Sequence, residues 1–168
     1  MDSTPRPDPV DAITAQWNRV RPDLPTDAMA VFGRIFRISR VITDRLGQVH
    51  AQHGIGKGEF DVLGTLRRSG EPYTLSPREL TATLMVTTGG MTGRLDKLER
   101  AGLVSRSPDP NDRRGLRITL TEAGLALVDR AVGPGVAIYE ETLAAALTPE
   151  EAATLSDLLR RLLAASGG

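Results

Sequence analysis

Side chains suited to contacting a duplex occur in two groups in the middle of the 168-residue chain. The first group is rich in threonine and glycine, and the second is an Asp-Arg-Arg triplet. Threonine hydroxyls can bond several bases, and missing side chains let a helix N-terminus approach a phosphate closely. Arginine is attracted to the negative potential of a minor groove. The predicted contacts to double-stranded DNA are Ser76, Thr87, Thr88, Gly89, Gly90, Thr92, Gly93, Lys97, Asp112, Arg113 and Arg114.

The charge of the chain is segregated although its net charge is zero. Residues 76–117 hold eight arginines and lysines against five acids, whereas residues 121–168 hold three arginines against seven acids. Phosphate binding responds to the local field and not to the average over the chain. The excess of three positive charges therefore places the predicted DNA-binding region in the middle of the sequence.

The composition excludes several other classes of function. The chain has no cysteine, so disulfides and thiol catalysis are excluded. It has neither the flanks of a signal peptide nor a run of about 20 apolar residues, which predicts a soluble, cytoplasmic protein. His50 and His53 have no third metal ligand, so we expect them at the surface. No motif of a hydrolase, zinc protease or nucleotide-binding loop is present, so we expect no enzyme activity and no cofactor.

Two short helices should carry the first group of predicted DNA contacts. Residues 76–79 (Ser-Pro-Arg-Glu) form a capping box with proline at the first helical position, which predicts a helix ending at Leu84. Met85-Val86 predicts a tight turn, and Thr87 can cap a second helix from Thr88 to about Ala101. Two helices joined by such a turn are typical of a helix-turn-helix.

The second predicted helix has three glycines between positions 89 and 93. Each glycine inside a helix costs about 1 kcal/mol relative to alanine, so their presence needs a reason. Close approach to DNA is one reason, and a poorly formed helix or loop is the alternative. The capping box and the hairpin that follows favour DNA binding.

The second group of contacts should lie at the tip of a β-hairpin. Leu103–Pro108 and Leu116–Leu120 are predicted strands, the second with alternating apolar residues. Residues 109–115 between them form a polar tip that contains both arginines of the triplet, with Asp112 expected to hold one guanidinium. A hairpin after a helix-turn-helix predicts a winged helix.

The flanking segments are predicted to be helical and to pair two copies of the chain. A short helix at 11–19 precedes a long one at 26–53, and Gly133-Pro134-Gly135 should kink or split the helix that starts at Thr121. The apolar stripes of these helices exceed what a small winged helix can cover. The predicted regions are a disordered tail (1–10), N-terminal ligand and dimerisation helices (11–53), a DNA-binding domain (54–120) and C-terminal dimerisation helices (121–168).

The order of these elements resembles the MarR family of bacterial regulators. The resemblance covers about residues 26–165 and is carried by the wing sequence at 109–114 and by Ile-Thr-Leu-Thr-Glu-Ala-Gly at 118–124. It implies a mainly α fold with a small β-hairpin wing, an extra N-terminal helix, and a homodimer whose first and last helices interlock.

A narrower resemblance is to the urate-responsive, PecS-like branch of that family. It is carried by Gln-Trp-Asn at 16–18, Arg-Pro-Asp-Leu at 21–24, and the segments 58–63 and 84–92. It implies a pocket in which an indole packs on a flat purine anion and two guanidiniums bind its charge, while an aspartate pairs with one arginine in the empty pocket. The implied ligand residues are Trp17, Asn18, Asp61, Arg94 and Arg106.

The expected function is that of a ligand-responsive repressor, and two alternatives stay open. The repressor would bind a pseudo-palindromic operator as a homodimer and be released by urate or a related purine. One alternative is a regulator that responds to phenolic or other aromatic acids, and the other is a winged helix that binds a protein partner. By residue type alone, Trp17 would be a core residue, and Asp61, Arg94 and Arg106 would be surface charges or ion pairs.

Overall fold

The computed structural model describes residues 6–84 and 87–167, which form a mainly helical chain with a small antiparallel sheet. None of the described helices has the length and apolar composition needed to cross a bilayer. The described elements are α1 (Pro9–Val20), α2 (Asp27–Gln52), α3 (Lys57–Arg68), β1 (Thr74–Leu75), α4 (Pro77–Leu84), α5 (Thr88–Arg100), β2 (Val104–Asp109), β3 (Asp112–Leu120), α6 (Glu122–Ala144) and α7 (Pro149–Ala165).

The chain divides into two compact units, of which the first ends at Arg45 and the second begins at Leu46. In the first unit, α1 begins at Pro9, inside the predicted disordered tail, because Asp8 forms a capping box with Asp11. The Arg34 guanidinium then binds both carboxylates, with Nε 2.8 Å from Asp8 Oδ2 and Nη2 2.6 Å from Asp11 Oδ1. These bonds order the segment from residue 8 onward; the first five residues lie outside the described part of the chain.

The second unit contains the predicted helix-turn-helix and wing, built around one apolar core. The predicted capping box at 76–79 is confirmed, and α5 begins where it was expected. The predicted turn at Met85-Val86 lies outside the described residues. The most deeply buried large side chains of the core are Leu63 and Leu66 of α3, Leu80 of α4, Met91 and Leu98 of α5, and Ile118 of β3.

The sheet has the strand order β1-β3-β2, and both pairings are antiparallel. The hairpin of β2 and β3 is the predicted wing, with Val104 opposite Leu120 and a register shift at Pro108/Asp109. The strand β3 is longer than predicted because it begins at Asp112. The two-residue strand β1 was not predicted, since two residues are too short to show an alternating pattern.

The predicted interruption at 133–135 does not split α6, which continues from Glu122 to Ala144. A proline disfavours helical backbone at the preceding residue through a clash with its Cβ, and Gly133 has no Cβ. Pro134 also lacks the N–H that would bond to the carbonyl of Arg130. Because Arg130 is exposed, water can satisfy that carbonyl, and the helix tolerates the proline.

The sequence Thr-Glu-Ala-Gly at 121–124 attaches α6 to the wing. The hydroxyl of Thr121 donates to the carbonyl of Gly102 (2.7 Å) and accepts from the N–H of Gly124 (3.0 Å). A Cβ placed on Gly124 would lie 2.0 Å from the carbonyl oxygen of Leu103. Only glycine therefore permits this helix end to rest against the end of β2.

We expect Gly124→Ala to lower the free energy of unfolding by about 3 kcal/mol, the upper end for overpacking, because the obstructing atom belongs to the backbone. Urea denaturation at a fixed protein concentration measures the change. Gly47→Ala in α2 is the matched control, since its Cβ would meet nothing within 4 Å and should stabilise the helix. Equal unfolding midpoints for the two variants would contradict the close approach.

Candidate DNA-binding surface and ligand pocket

The glycine-rich segment is a well-formed helix start and not a loop. The hydroxyl of Thr87 accepts the N–H of Gly90 at 3.2 Å and so caps α5, and the Thr92 hydroxyl donates to the carbonyl of Thr88 (3.1 Å). A Cβ at Gly89 or at another glycine one turn later, Gly93, would meet nothing within 4 Å. Packing inside the protein therefore does not account for these two glycines. Thr87, Thr88, Gly89, Gly90, Thr92 and Gly93 are all exposed.

Two predicted DNA contacts have partners within the protein. The Ser76 hydroxyl donates to Glu79 Oε2 (2.7 Å), and hydrogen bonds from Ser76 hold the pKa of the Glu79 carboxyl below its usual value. Lys97 Nζ lies 3.2 Å from Glu59 Oε1. Burial raises the pKa of Glu59, but the N–H of Gly56 and the Lys97 ammonium outweigh burial and lower it. Ser76 therefore positions α4, and Lys97 ties α5 to α3.

The tip of the wing is ordered by its aspartates. Asp109 accepts the N–H of Asn111, and Asp112 accepts the N–H of Arg114, each at 2.9 Å. The expected bond from Asp112 to a guanidinium is thus replaced by a bond to backbone, because the tight turn brings that N–H within reach. The Arg114 side chain is exposed, and the Arg113 side chain lies outside the described part of the structure.

Among the implied ligand residues, Asp61 and Arg94 both lie beside the first turn of α3. Asp61 Oδ2 is 2.8 Å from Lys57 Nζ, one helical turn away, so its partner is a lysine and not the expected arginine. The Arg94 guanidinium covers Gly58 so closely that a Cβ there would lie 2.7 Å from Arg94 Nε. Arg94 Nη1 is buried and has no hydrogen-bond partner among the described residues.

Arg106 belongs to a different side of α5. Its Nη2 lies 2.5 Å from Asp96 Oδ1, and its Nε lies 3.3 Å from Glu99 Oε2. Asp96 is two residues after Arg94, which places them about 200° apart around the helix. The guanidiniums of Arg94 and Arg106 therefore have separate partners, and Arg106 is already neutralised by two carboxylates.

The other two implied ligand residues belong to α1 in the first unit. Trp17 is 42% exposed, so the expectation from residue type that it is a core residue is wrong for the single chain. The neighbouring Asn18 accepts a hydrogen bond from the Thr26 hydroxyl (2.9 Å), which links α1 to the residue before α2.

A cavity of about 160 Å³ in the second unit contains residues that the sequence analysis missed. His50 is 2% exposed, contrary to the expected surface position, and stacks on Phe60 with ring centroids 4.1 Å apart. His50 follows Leu46 by four residues, and this helical spacing could have revealed its inward direction. The cavity is lined by Leu46, His50, Lys57, Phe60, Asp61, Val132, Gly135, Val136 and Tyr139.

The His50 ring is a neutral group without partners. Burial lowers its pKa, and the nearby Asp61 carboxylate opposes that shift only in part. Neither ring nitrogen has a hydrogen-bond partner in the described structure. No group of three or more potential metal-ligating side chains occurs in residues 6–84 and 87–167, so the geometry of this part offers no metal site.

Comparisons with known proteins agree with this architecture. A profile of the MarR family matches residues 53–115. The transcriptional regulator PecS of Dickeya dadantii is 39% identical over 153 residues, which cover 91% of this chain and 92% of PecS. The multiple antibiotic resistance protein MarR of Escherichia coli is 34% identical over 133 residues, covering 78% of this chain and 90% of MarR.

The chain belongs to the MarR family. A crystal structure of a cysteine-to-serine mutant of E. coli MarR with operator DNA superposes with a TM-score of 0.70 and 30% identity, covering 88% of this chain and 97% of that chain. The predicted fold class, a winged helix-turn-helix with flanking helices, is confirmed. This MarR-family protein is a DNA-binding transcriptional regulator and not an enzyme, as its relatives are.

We expect His50→Phe to flatten the pH dependence of stability. The folded pKa of His50 is lowered, so as pH falls below about 6.5 the unfolded chain binds a proton that the folded chain does not. The free energy of unfolding of the wild type should then decrease by up to about 1.4 kcal/mol per pH unit more than that of the variant. Urea titrations between pH 8 and pH 5 measure this, and parallel curves would contradict the neutral buried imidazole.

Proposed function

We propose that this MarR-family regulator is a repressor that binds a pseudo-palindromic operator as a homodimer and is released by urate or a related purine. The observation that carries the DNA-binding mode is the exposed first turn of α5, where glycines and threonines surround an open helix N-terminus beside the wing. In a helix-turn-helix, this end of the second helix contacts base edges in the major groove.

Exposed apolar residues on the flanking helices support a homodimer. In the first unit, Phe36 of α2 is 67% exposed, with Val31, Ile38 and Val41 also exposed nearby along the helix. In the second unit, α7 has no buried residue, and its Leu163 is 63% exposed. Pairing with a second copy would remove this surface from water, which is favourable. Two recognition helices would then enter major grooves roughly 34 Å apart.

The proposed division of roles at the DNA follows from exposure and partners. Thr88, Gly89, Gly90, Thr92 and Gly93 would face base edges and phosphates, with Thr87 holding the helix start. Arg113 and Arg114 would enter the adjacent minor groove. Ser76, Lys97 and Asp112 would act mainly by fixing α4, α5 and the wing tip, since each is bonded within the protein.

The proposed effector site uses Trp17, Asn18, Asp61, Arg94 and Arg106. Arg94 is the strongest candidate for the anion, because its buried Nη1 lacks an acceptor that a ligand oxygen would supply. Arg106 would have to leave Asp96 and Glu99, or act by holding the wing to α5. The ligand lowers DNA affinity only if it binds the non-binding conformation more tightly.

Arg113→Ala should weaken binding to all duplex sequences and reduce the salt dependence by about one phosphate contact. Fluorescence anisotropy with a labelled operator and with a random duplex, from 50 to 300 mM salt, measures both. Arg160→Ala on α7 is the matched control, because that arginine lies outside the proposed surface and already pairs with Asp157. An unchanged slope for Arg113→Ala would argue against the wing contact, and binding insensitive to salt would favour a protein partner.

Trp17→Ala should bind the upstream region of its own gene as the wild type does but need at least about tenfold more urate for release, since it loses the stacking surface. Gel shifts with and without urate measure both properties. Wild-type complexes that urate leaves intact would refute the urate response while leaving the DNA-binding function untouched. Calorimetry with urate, xanthine and salicylate separates a purine effector from a phenolic acid.

A further inference from the structure

We propose that the cavity lined by His50, Phe60, Asp61 and Tyr139 binds one ring of an oxopurine and that His50 hydrogen-bonds the lactam edge of that ring. The inference deepens the proposed function, on whose purine response it rests, by naming a subsite and a specificity-determining residue that the family resemblance does not supply. It makes His50 a ligand contact and not a residue of the DNA-binding surface.

The first argument is the unsatisfied imidazole. Burying a polar group without a hydrogen bond costs free energy, and the His50 ring is 2% exposed with both nitrogens unpartnered. Stacking on Phe60 fixes the plane of the ring, with an interplanar angle of 19°. The ring also lines the cavity, so a ligand there can reach it without displacing an existing hydrogen bond.

The second argument is the size and lining of the cavity. Its volume of about 160 Å³ is close to that of a cavity of about 150 Å³ that holds one benzene molecule. Apolar side chains of Leu46, Val132 and Val136 form part of the wall, while exposed portions of Lys57 and Tyr139 mark the mouth. One planar ring would be enclosed, and a second fused ring would extend toward solvent.

The third argument is the charge around the cavity, which selects between ligand classes. A neutral imidazole offers one donor and one acceptor, and a lactam offers one acceptor and one donor in return. The Asp61 carboxylate lines the same cavity and has already claimed the Lys57 ammonium. A ring with a localised carboxylate would meet like charge there, so the site should prefer an oxopurine to an aromatic acid.

The same turn of α3 gives the cavity a route to the recognition helix. Lys57 faces the cavity, whereas the next two residues, Gly58 and Glu59, contact Arg94 and Lys97 of α5. A ligand that repositions Lys57 or Asp61 therefore acts on a helical turn whose adjacent residues hold α5.

The test is calorimetry on the full-length protein with hypoxanthine, urate and salicylate as probes. His50→Phe should weaken binding of hypoxanthine and urate by about tenfold through loss of the hydrogen bond. Gly135→Ala should weaken it by filling the wall, and its Cβ would lie at ordinary contact distance, 3.5 Å, from Leu46 Cδ2. Gly47→Ala is the matched control and should leave both affinities unchanged. If His50→Phe does not fold, Gly135→Ala decides the outcome.

The results separate this inference from the proposed function. Wild-type oxopurine affinity in both cavity variants, no oxopurine binding to the wild type, or tighter binding of salicylate than of hypoxanthine would overturn the subsite. If urate releases DNA from the wild type and from both cavity variants alike, the repressor proposal stands and the subsite is wrong. Oxopurine binding that depends on His50 but leaves DNA affinity unchanged would support the subsite and refute the regulatory role.

Discussion

The contact between the Arg94 guanidinium and the backbone of Gly58 determines how the recognition helix lies on the rest of the second unit. A methyl group at position 58 would come within 3 Å of two guanidinium atoms, so the approach exists only because this residue is glycine. Protein interiors are close-packed and respond to displacement by switching arrangement more readily than by deforming. A small movement of the first turn of α3 is therefore felt directly at α5.

Ion pairs on two sides of α5 complete this arrangement. Lys97 reaches Glu59 of α3 on one side, and Arg106 of the wing reaches Asp96 and Glu99 on the other. Such pairs contribute little to stability when exposed, but several charges that share one helix fix its rotation. The recognition helix is thereby held to α3 and β2 by the residues that are not available to DNA.

Local signals in the sequence were enough to predict the helix-turn-helix and the wing. The capping boxes at 76–79 and 148–151 and the hairpin residues at 109–115 act within a few positions, so their effect can be derived without tertiary structure. The burial of His50, the choice of Lys57 as the partner of Asp61, and the pairing of Arg106 depend on neighbouring elements. Sequence spacing alone does not fix such tertiary contacts. The continuity of α6 also required weighing Gly133 against Pro134, an effect that a rule about proline alone misses.

The proline inside α6 gives this helix an uneven stiffness along its length. Pro134 removes one hydrogen bond near mid-helix, so the resistance to bending is lowest there. The part before it is anchored to the wing through Thr121 and Gly124, and the part after it contributes Gly135 to the cavity wall. The helix thus behaves as two levers joined at a compliant point, and a load applied at the cavity wall can tilt one lever without dragging the wing through the same angle.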